Sequence, residues 1–202
     1  MSLSDADQQR INAAIAQAET TTAGEIVCVL TRASSDYRTY AVAWAAIAAL
    51  AAPWALIAVT ELSVRCILLV QALVFVALFL LFSISRLGPY LVPKPVRIEH
   101  AHRAALEQFV TRGFARRRHQ AGALIFVSLA EHYVRVVADD AIAAKVDKRV
   151  WQGAVDALLA GIRGGDLAGG YVGAVEKCGA VLAEHFPPDS SGGELPDRIY
   201  VI

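Results

Sequence analysis

The sequence is poor in cysteine and carries no net charge. Its three cysteines, Cys28, Cys66 and Cys178, form no C-x-x-C pair and no disulfide pattern, which suits a reducing compartment. Lysine plus arginine and aspartate plus glutamate each number 19, so no overall positive field would attract nucleic acid. We therefore expect no nucleic-acid partner.

Common catalytic and targeting signatures are also missing. The chain contains no H-E-x-x-H, no G-x-S-x-G, no P-loop and no G-x-G-x-x-G. His100 and His102 are two residues apart, so on a helix they face different sides. The first ten residues are polar and acidic, unlike the basic and then apolar start of a secretory signal. The sequence therefore predicts no standard active site and no cleaved export signal.

Long apolar runs are what this sequence has in abundance. Residues 41–60 and 66–85 each form a run of 20 residues without a charge, and five residues separate them. A helix rises about 1.5 Å per residue, so each run spans about 30 Å, the thickness of a hydrocarbon core. The mean hydropathy of +0.46 agrees with this interpretation. We predict a transmembrane helical hairpin at 41–86; the alternative is a buried helical pair in a soluble protein.

The positive charges around the hairpin indicate its orientation. Arg38 precedes it and Arg86 and Lys94 follow it, whereas the short link contains only Arg65, accompanied by Glu61. The positive-inside rule then places both ends of the hairpin in the cytoplasm. We expect an integral membrane protein of a bacterial inner or plasma membrane, with both termini and the soluble domain cytoplasmic. Its expected partners are the lipid bilayer and another membrane protein.

Outside the hairpin, the hydrophobic pattern predicts one small α/β domain. Helical periodicity and β-branched runs give the following order: a helix at 4–20, strands at 25–31, 122–128 and 133–138, and helices at 97–117, 150–162 and 167–186. Such an order is typical of a small mixed sheet flanked by helices. The first strand is apolar on both faces, so it must pair with 122–128. Residues 1–40 and 87–186 then form one domain interrupted by the hairpin, and 187–202 form a linker and an edge strand.

Several stretches of this domain resemble the TPM-domain family, which includes thylakoid acid phosphatase-like and bacterial TPM proteins. They are GEIVCVL at 24–30, GALIFVS at 122–128, YVRVV at 133–137, and Asp147, Trp151 and DLAGGY at 166–171. The resemblance covers about 1–36 and 97–186. It implies an α/β sandwich; some plant relatives are described as acid phosphatases, some bacterial relatives bind calcium, and many have no known activity. Residues 137–142 lack the glycines that the family has there, and the hairpin is a further departure.

Four aspartates form the candidate metal site: Asp36, Asp139, Asp140 and Asp147. If the first two strands pair, these carboxylates could meet near one sheet edge. Clustered carboxylates suit Ca²⁺ or Mg²⁺, and such a metal could activate water to cleave a phosphate ester. The alternative is structural, since aspartates also terminate loops and cap helices. No catalytic residue and no certain cofactor is assigned.

A basic cluster ends the predicted helix at 97–117: Arg112, Arg116, Arg117 and Arg118. Next to a membrane, these cations could contact anionic lipid. They could equally interact with the dipole at the carboxyl end of the helix.

The sequence thus predicts a membrane-anchored TPM-like domain that acts as a non-catalytic interaction or assembly module at the cytoplasmic membrane face. The alternative is a divalent-metal-dependent phosphatase that uses the aspartates. A transporter or channel component is a third hypothesis, and it would require oligomerisation because two helices without an intramembrane charge make no pathway.

Overall fold

The computed structural model describes residues 3–35, 37–84, 92–112, 121–147, 149–188 and 198–202. The elements are α1 (Asp5–Glu19), β1 (Glu25–Thr31), α2 (Arg38–Val59), α3 (Val64–Ile84), α4 (Lys94–Thr111), β2 (Gly122–Ser128), β3 (Tyr133–Ala138), α5 (Asp140–Ala143), α6 (Gln152–Gly164), α7 (Leu167–His185) and β4 (Ile199–Val201). The chain divides into two compact units, and one boundary between them falls within α4. The first contains Met1–Ser34 and Ala101–Ile202, and the second contains Ser35–His100.

The first unit is built on a four-stranded mixed sheet in the order β3-β2-β1-β4. Strand β1 lies parallel to both β2 and β4, and β2 lies antiparallel to β3. Every residue of β1 and β2 is buried, which explains the apolar runs at 26–30 and 123–127. The predicted α/β class with a small mixed sheet flanked by helices is confirmed, as is the pairing of β1 with β2.

The sheet separates two cores of unequal size. The larger core contains alternate side chains of the central strands, such as Ile26 and Ile125, under helices α1, α5, α6 and α7. The smaller core contains the intervening side chains, such as Val29 and Phe126, with Ala105 of α4. Successive residues of a strand point to opposite faces, so both faces of β1 and β2 need apolar cover.

Helices of the first unit begin and end at residues with clear local roles. Ser4 and Asp7 form a capping box at the start of α1, with both N–H···O distances at 3.1 Å. Gly165 ends α6 in the left-handed conformation, at φ 79°. Asp166 then caps α7 by accepting a hydrogen bond of 2.8 Å from the Gly169 amide.

Helices α6 and α7 approach each other closely through glycine. A Cβ added to Gly161 would lie 2.4 Å from the Gly170 Cα atom, so only glycine fits there. The buried Tyr171 hydroxyl of α7 donates a 2.8 Å hydrogen bond to the Val29 carbonyl of β1. Burial raises the pKa of Tyr171 well above its usual value. This hydrogen bond ties α7 to the centre of the sheet.

The second unit contains helices α2 and α3, which pack along each other. Thr39–Val59 and Val64–Ser83 are both long and apolar enough to cross a membrane, with mean hydropathies of 2.1 and 2.8. Only 11% and 6% of these segments is buried, so their large side chains point outward. The helices begin before the predicted runs, and the link between them is Thr60–Ser63.

Candidate ligand groove along the open edge of the sheet

Both carboxylate oxygens of Asp139 accept hydrogen bonds from backbone amides. It is the N-cap of α5, where its Oδ1 accepts a 2.8 Å hydrogen bond from the Ile142 amide. Its Oδ2 accepts a 3.0 Å hydrogen bond from the Gly122 amide at the start of β2. Partial burial raises the pKa of this carboxyl, and the two backbone hydrogen bonds partly offset that shift. Both oxygens therefore join β2 to the beginning of α5.

Of the other three predicted metal ligands, the structure describes Asp140 and Asp147 but not Asp36. Asp140 is exposed in the first turn of α5. Asp147 accepts a 2.8 Å hydrogen bond from the Arg149 amide, which makes a local turn; it does not cap α6, whose N-cap is Trp151. Asp36 falls outside the described ranges. Within those ranges, no group of three or more His, Cys, Asp or Glu side chains could hold a metal ion.

The predicted basic patch can be followed only at Arg112. Its guanidinium lies over the Tyr200 ring, 3.5 Å from the centroid, and donates a 3.3 Å hydrogen bond to Gln108. Arg198 lies over the same ring at 4.8 Å. The remaining members, Arg116, Arg117 and Arg118, lie outside the described residues. Arg112 thus contributes to packing between the end of α4 and β4.

A groove of about 480 Å³ follows strand β3 at the edge of the sheet. Leu106 of α4 forms one wall, while residues of α5, of α6 and of the segment between them form the other. All of β3 lines the groove, together with Leu106, Ala143, Val146, Trp151, Gln152 and Val155. Leu106 is 41% exposed although it is a leucine, so this wall has an uncovered apolar surface. The volume falls in the range of pockets that hold small molecules or peptide side chains.

Among the described residues that line the groove, Arg135 is the charged one. Its Nη1 lies 3.0 Å from His102 Nδ1 of α4 and 3.4 Å from the Tyr133 hydroxyl. These two contacts orient the guanidinium beside the strand edge. In the part of the chain that the structure describes, no carboxylate forms an ion pair with Arg135. The groove can therefore receive an anionic group at this point.

The backbone of β3 offers hydrogen-bonding groups to the same groove. The Asp139 amide donates to the Gly122 carbonyl at 3.0 Å, which sets the phase of the β2–β3 ladder. In an antiparallel ladder, hydrogen-bonded and non-hydrogen-bonded pairs alternate. The odd-numbered residues of β3 thus bond to β2. The N–H and C=O groups of Val134, Val136 and Ala138 point to the open edge.

These groove residues had only a faint signal in the sequence. The alternation of Tyr133, Arg135 and Val137 places a cation on a half-buried strand, which is unusual. The partners of that cation could not be read from spacing, because His102 is 33 residues away on another element. The described residues that line the groove are mainly apolar, with Arg135 and Gln152 as its charged and amide side chains. An apolar lining with a few polar groups is typical of a ligand-binding groove.

No protein-family model and no curated protein matches this chain. A solved structure does resemble it: the NMR structure of the BA42 protein from the psychrophilic bacterium Bizionia argentinensis sp. nov.. The TM-score is 0.60 and the sequence identity 19%, over 100% of this chain and 96% of that one. A likeness at this identity shows the fold alone. The TPM-domain assignment remains a prediction from the sequence motifs.

Proposed function

We propose that this protein is a membrane-anchored, TPM-like α/β domain that acts as a non-catalytic interaction module at the cytoplasmic membrane face. The observation that carries the proposal is the position of α2 and α3 in the chain. Two apolar helices with outward-facing side chains stand between β1 and β2, which are neighbours in one sheet. Anchoring and domain folding are therefore coupled in one chain.

The pairing of β1 with β2 supports a two-span topology. Both strands belong to one sheet, so the chain must return to the side of the membrane from which it entered. A pair of spans meets this requirement, whereas a single span does not. The excess of positive charges outside the hairpin supports the cytoplasmic side.

Thiol labelling tests the anchoring and its orientation. Ser63→Cys in a Cys66→Ser background puts a thiol in the link between α2 and α3, while Cys28 and Cys178 stay buried. We expect a membrane-impermeant maleimide to label this thiol in intact cells. Glu176→Cys in the same background, on the exposed face of α7, is the matched control and should react only after permeabilisation. The reverse pattern would contradict the orientation, and release of the protein by alkaline carbonate would contradict the anchoring.

The interrupted domain is also testable. Replacing residues 41–94 by a short flexible linker should leave a folded, water-soluble α/β domain, because both cores contain side chains from the first unit. The amide hydrogens of β1 and β2 should remain protected from exchange. Aggregation or loss of that protection would contradict an insertion into a self-sufficient domain.

The metal-dependent phosphatase is the competing proposal and predicts turnover. We expect the full chain not to hydrolyse p-nitrophenyl phosphate, with or without Ca²⁺ or Mg²⁺. Metal-dependent turnover that falls in an Asp140→Asn, Asp147→Asn double variant would favour the phosphatase. Both side chains are exposed, so this variant should keep the fold.

A further inference from the structure

We propose that the groove along β3 binds an extended peptide of a partner protein, which adds to the sheet as a fifth strand and places a carboxylate against Arg135. This proposal rests on the proposed function and names the chemistry of the partner. Three independent features of the groove favour such a peptide: its backbone, its walls and its charge.

The backbone feature is a strand edge with regularly spaced donors and acceptors. Val134, Val136 and Ala138 direct N–H and C=O groups away from β2. Alternate residues of a strand are about 6.6 Å apart, which matches the repeat of an extended peptide. In the described part of the chain, β3 is the last strand on this side of the sheet. An incoming peptide can hydrogen-bond there without displacing a strand.

The walls match the alternating side chains of an added strand. On one face of the sheet, Val134 and Val136 lie with the larger core, beside Trp151, the N-cap of α6, and Val155 of α6. On the other face, Tyr133 and Arg135 lie beside Leu106 of α4. An added strand would direct apolar side chains towards α6. Its intervening side chains would point towards Arg135.

The charge of the groove selects among such peptides. Arg135 is the cation of the lining, and its contacts with His102 and Tyr133 hold it at the edge. A guanidinium pairs well with a carboxylate through charge-assisted hydrogen bonds. A glutamate or aspartate on the peptide face near Arg135 should therefore be favoured, and a lysine there disfavoured.

The test uses the full chain in nanodiscs of phosphatidylcholine and the peptide Ac-VTVEVT-NH2. Lysine and glutamine analogues replace the central glutamate. We expect the glutamate peptide to bind at least about tenfold more tightly than the lysine peptide, the effect of one charge-assisted hydrogen bond. Arg135→Gln should remove this preference, and Arg135→Glu should reverse it. Arg163→Gln, at an exposed arginine of α6, is the matched control and should leave the preference unchanged.

Hydrogen exchange separates strand addition from binding by side chains alone. On peptide binding, the amides of Val134 and Val136 should exchange at least about tenfold more slowly. The Arg135 amide already bonds to β2 and should change little. Backbone N-methylation gives the same test without altering the protein. One peptide is methylated at its odd-numbered residues and another at its even-numbered residues, and only one of these two sets of amides can face β3. The peptide whose methyl groups face β3 should not bind, and the other should bind.

Several results would overturn this proposal. They are equal affinity for the glutamate and lysine peptides, equal binding of the two methylated peptides, or unchanged exchange at Val134 and Val136. Inhibition of peptide binding by vesicles of anionic lipid, with no effect of N-methylation, would assign Arg135 to lipid instead. Membrane anchoring is measured separately by thiol labelling, so failure of peptide binding and failure of the proposed function give different results.

Discussion

Helices α3 and α7 are both apolar and of similar length, at 21 and 19 residues, yet they are buried to very different extents. Helix α7 buries nine residues, from Leu167 to Leu182, against the sheet and its neighbouring helices. Among the described side chains of α3, Ile67 is the buried one, and leucines such as Leu73 are mostly exposed. Helix α7 also has charged residues, Glu176 and Lys177, on its exposed face. One apolar face indicates a protein neighbour, whereas apolar residues on all sides indicate lipid.

The largest expected effect is a charge on the buried face of α7. Leu182 is fully buried in the larger core. Leu182→Asp removes this packing and buries an unpaired carboxylate, so the free energy of unfolding should fall by at least about 4 kcal/mol. Urea unfolding of the full chain in micelles, with susceptibility to proteolysis as the readout, measures this change in free energy. The hairpin should still resist carbonate extraction; loss of both properties together would contradict separate roles for α7 and α3.

The same substitution in α3 should give the opposite pattern. Leu73 lies near the middle of the helix and is 68% exposed. Leu73→Asp should disfavour membrane insertion by about 3 kcal/mol, the cost of an aspartate at the centre of a span. The carbonate-resistant fraction should fall while the β1 and β2 amides stay protected from exchange. Leu73→Phe is the matched control and should insert normally. Normal insertion of Leu73→Asp would mean that α3 does not cross the bilayer.

A smaller effect is expected where α7 meets α6. Gly161→Ala places a methyl group where the Gly170 backbone now lies, so the two helices must move apart. The free energy of unfolding should fall by about 2 kcal/mol. Gly164→Ala is the control in the same helix, because its Cβ would meet no atom within 4 Å. That variant should be more stable by about 0.5 kcal/mol, and equal effects at both positions would contradict the close approach.

The smallest expected effect concerns Asp139, a titrating group of the α/β domain. Partial burial raises its pKa above the ordinary 3.8, so the native state holds the proton more tightly than the unfolded chain does. The stabilisation from this group is present below pH 3.8 and is lost as the pH rises through the native pKa. The urea midpoint of the wild type minus that of Asp139→Asn should therefore decrease as the pH rises from 3.8 through the native pKa. A difference that is constant with pH would contradict the raised pKa.

The sequence predicted the elements whose patterns are local. Strands β1 and β2 occupy the predicted ranges, because two-sided burial leaves a continuous apolar run. Helix α4 begins at Lys94, three residues before its predicted start, since a proline at position 95 is tolerated in the first turn. Helix α6 begins at Gln152, since Asp147 forms a turn with Arg149 and does not serve as the cap. Such local competition between a turn and a cap cannot be read from residue type.

The candidate site was harder to predict than the fold. The aspartates were identified by residue type, but Asp139 uses both carboxylate oxygens to hold backbone amides, and Asp147 uses one. The sequence does not predict the groove, because its walls come from α4 and from residues 143–155, which lie on opposite faces of the sheet and meet only around its β3 edge. The setting of Arg135 is one example. Its neighbour His102 belongs to α4, which precedes β2 in the chain, whereas Arg135 belongs to β3, which follows β2.

The sequence by itself determined the two apolar runs of the hairpin and the apolar strands of the sheet. Both follow from the composition of short segments. A run of about 20 apolar residues is long enough to cross a membrane, and burial on both faces of a sheet requires an apolar stretch. Only the tertiary structure decided which strand would remain at the edge and which side chains would flank it. Strand order depends on the packing of helices distant in sequence, so the exposed backbone of β3 and the setting of Arg135 emerge only when the chain is folded.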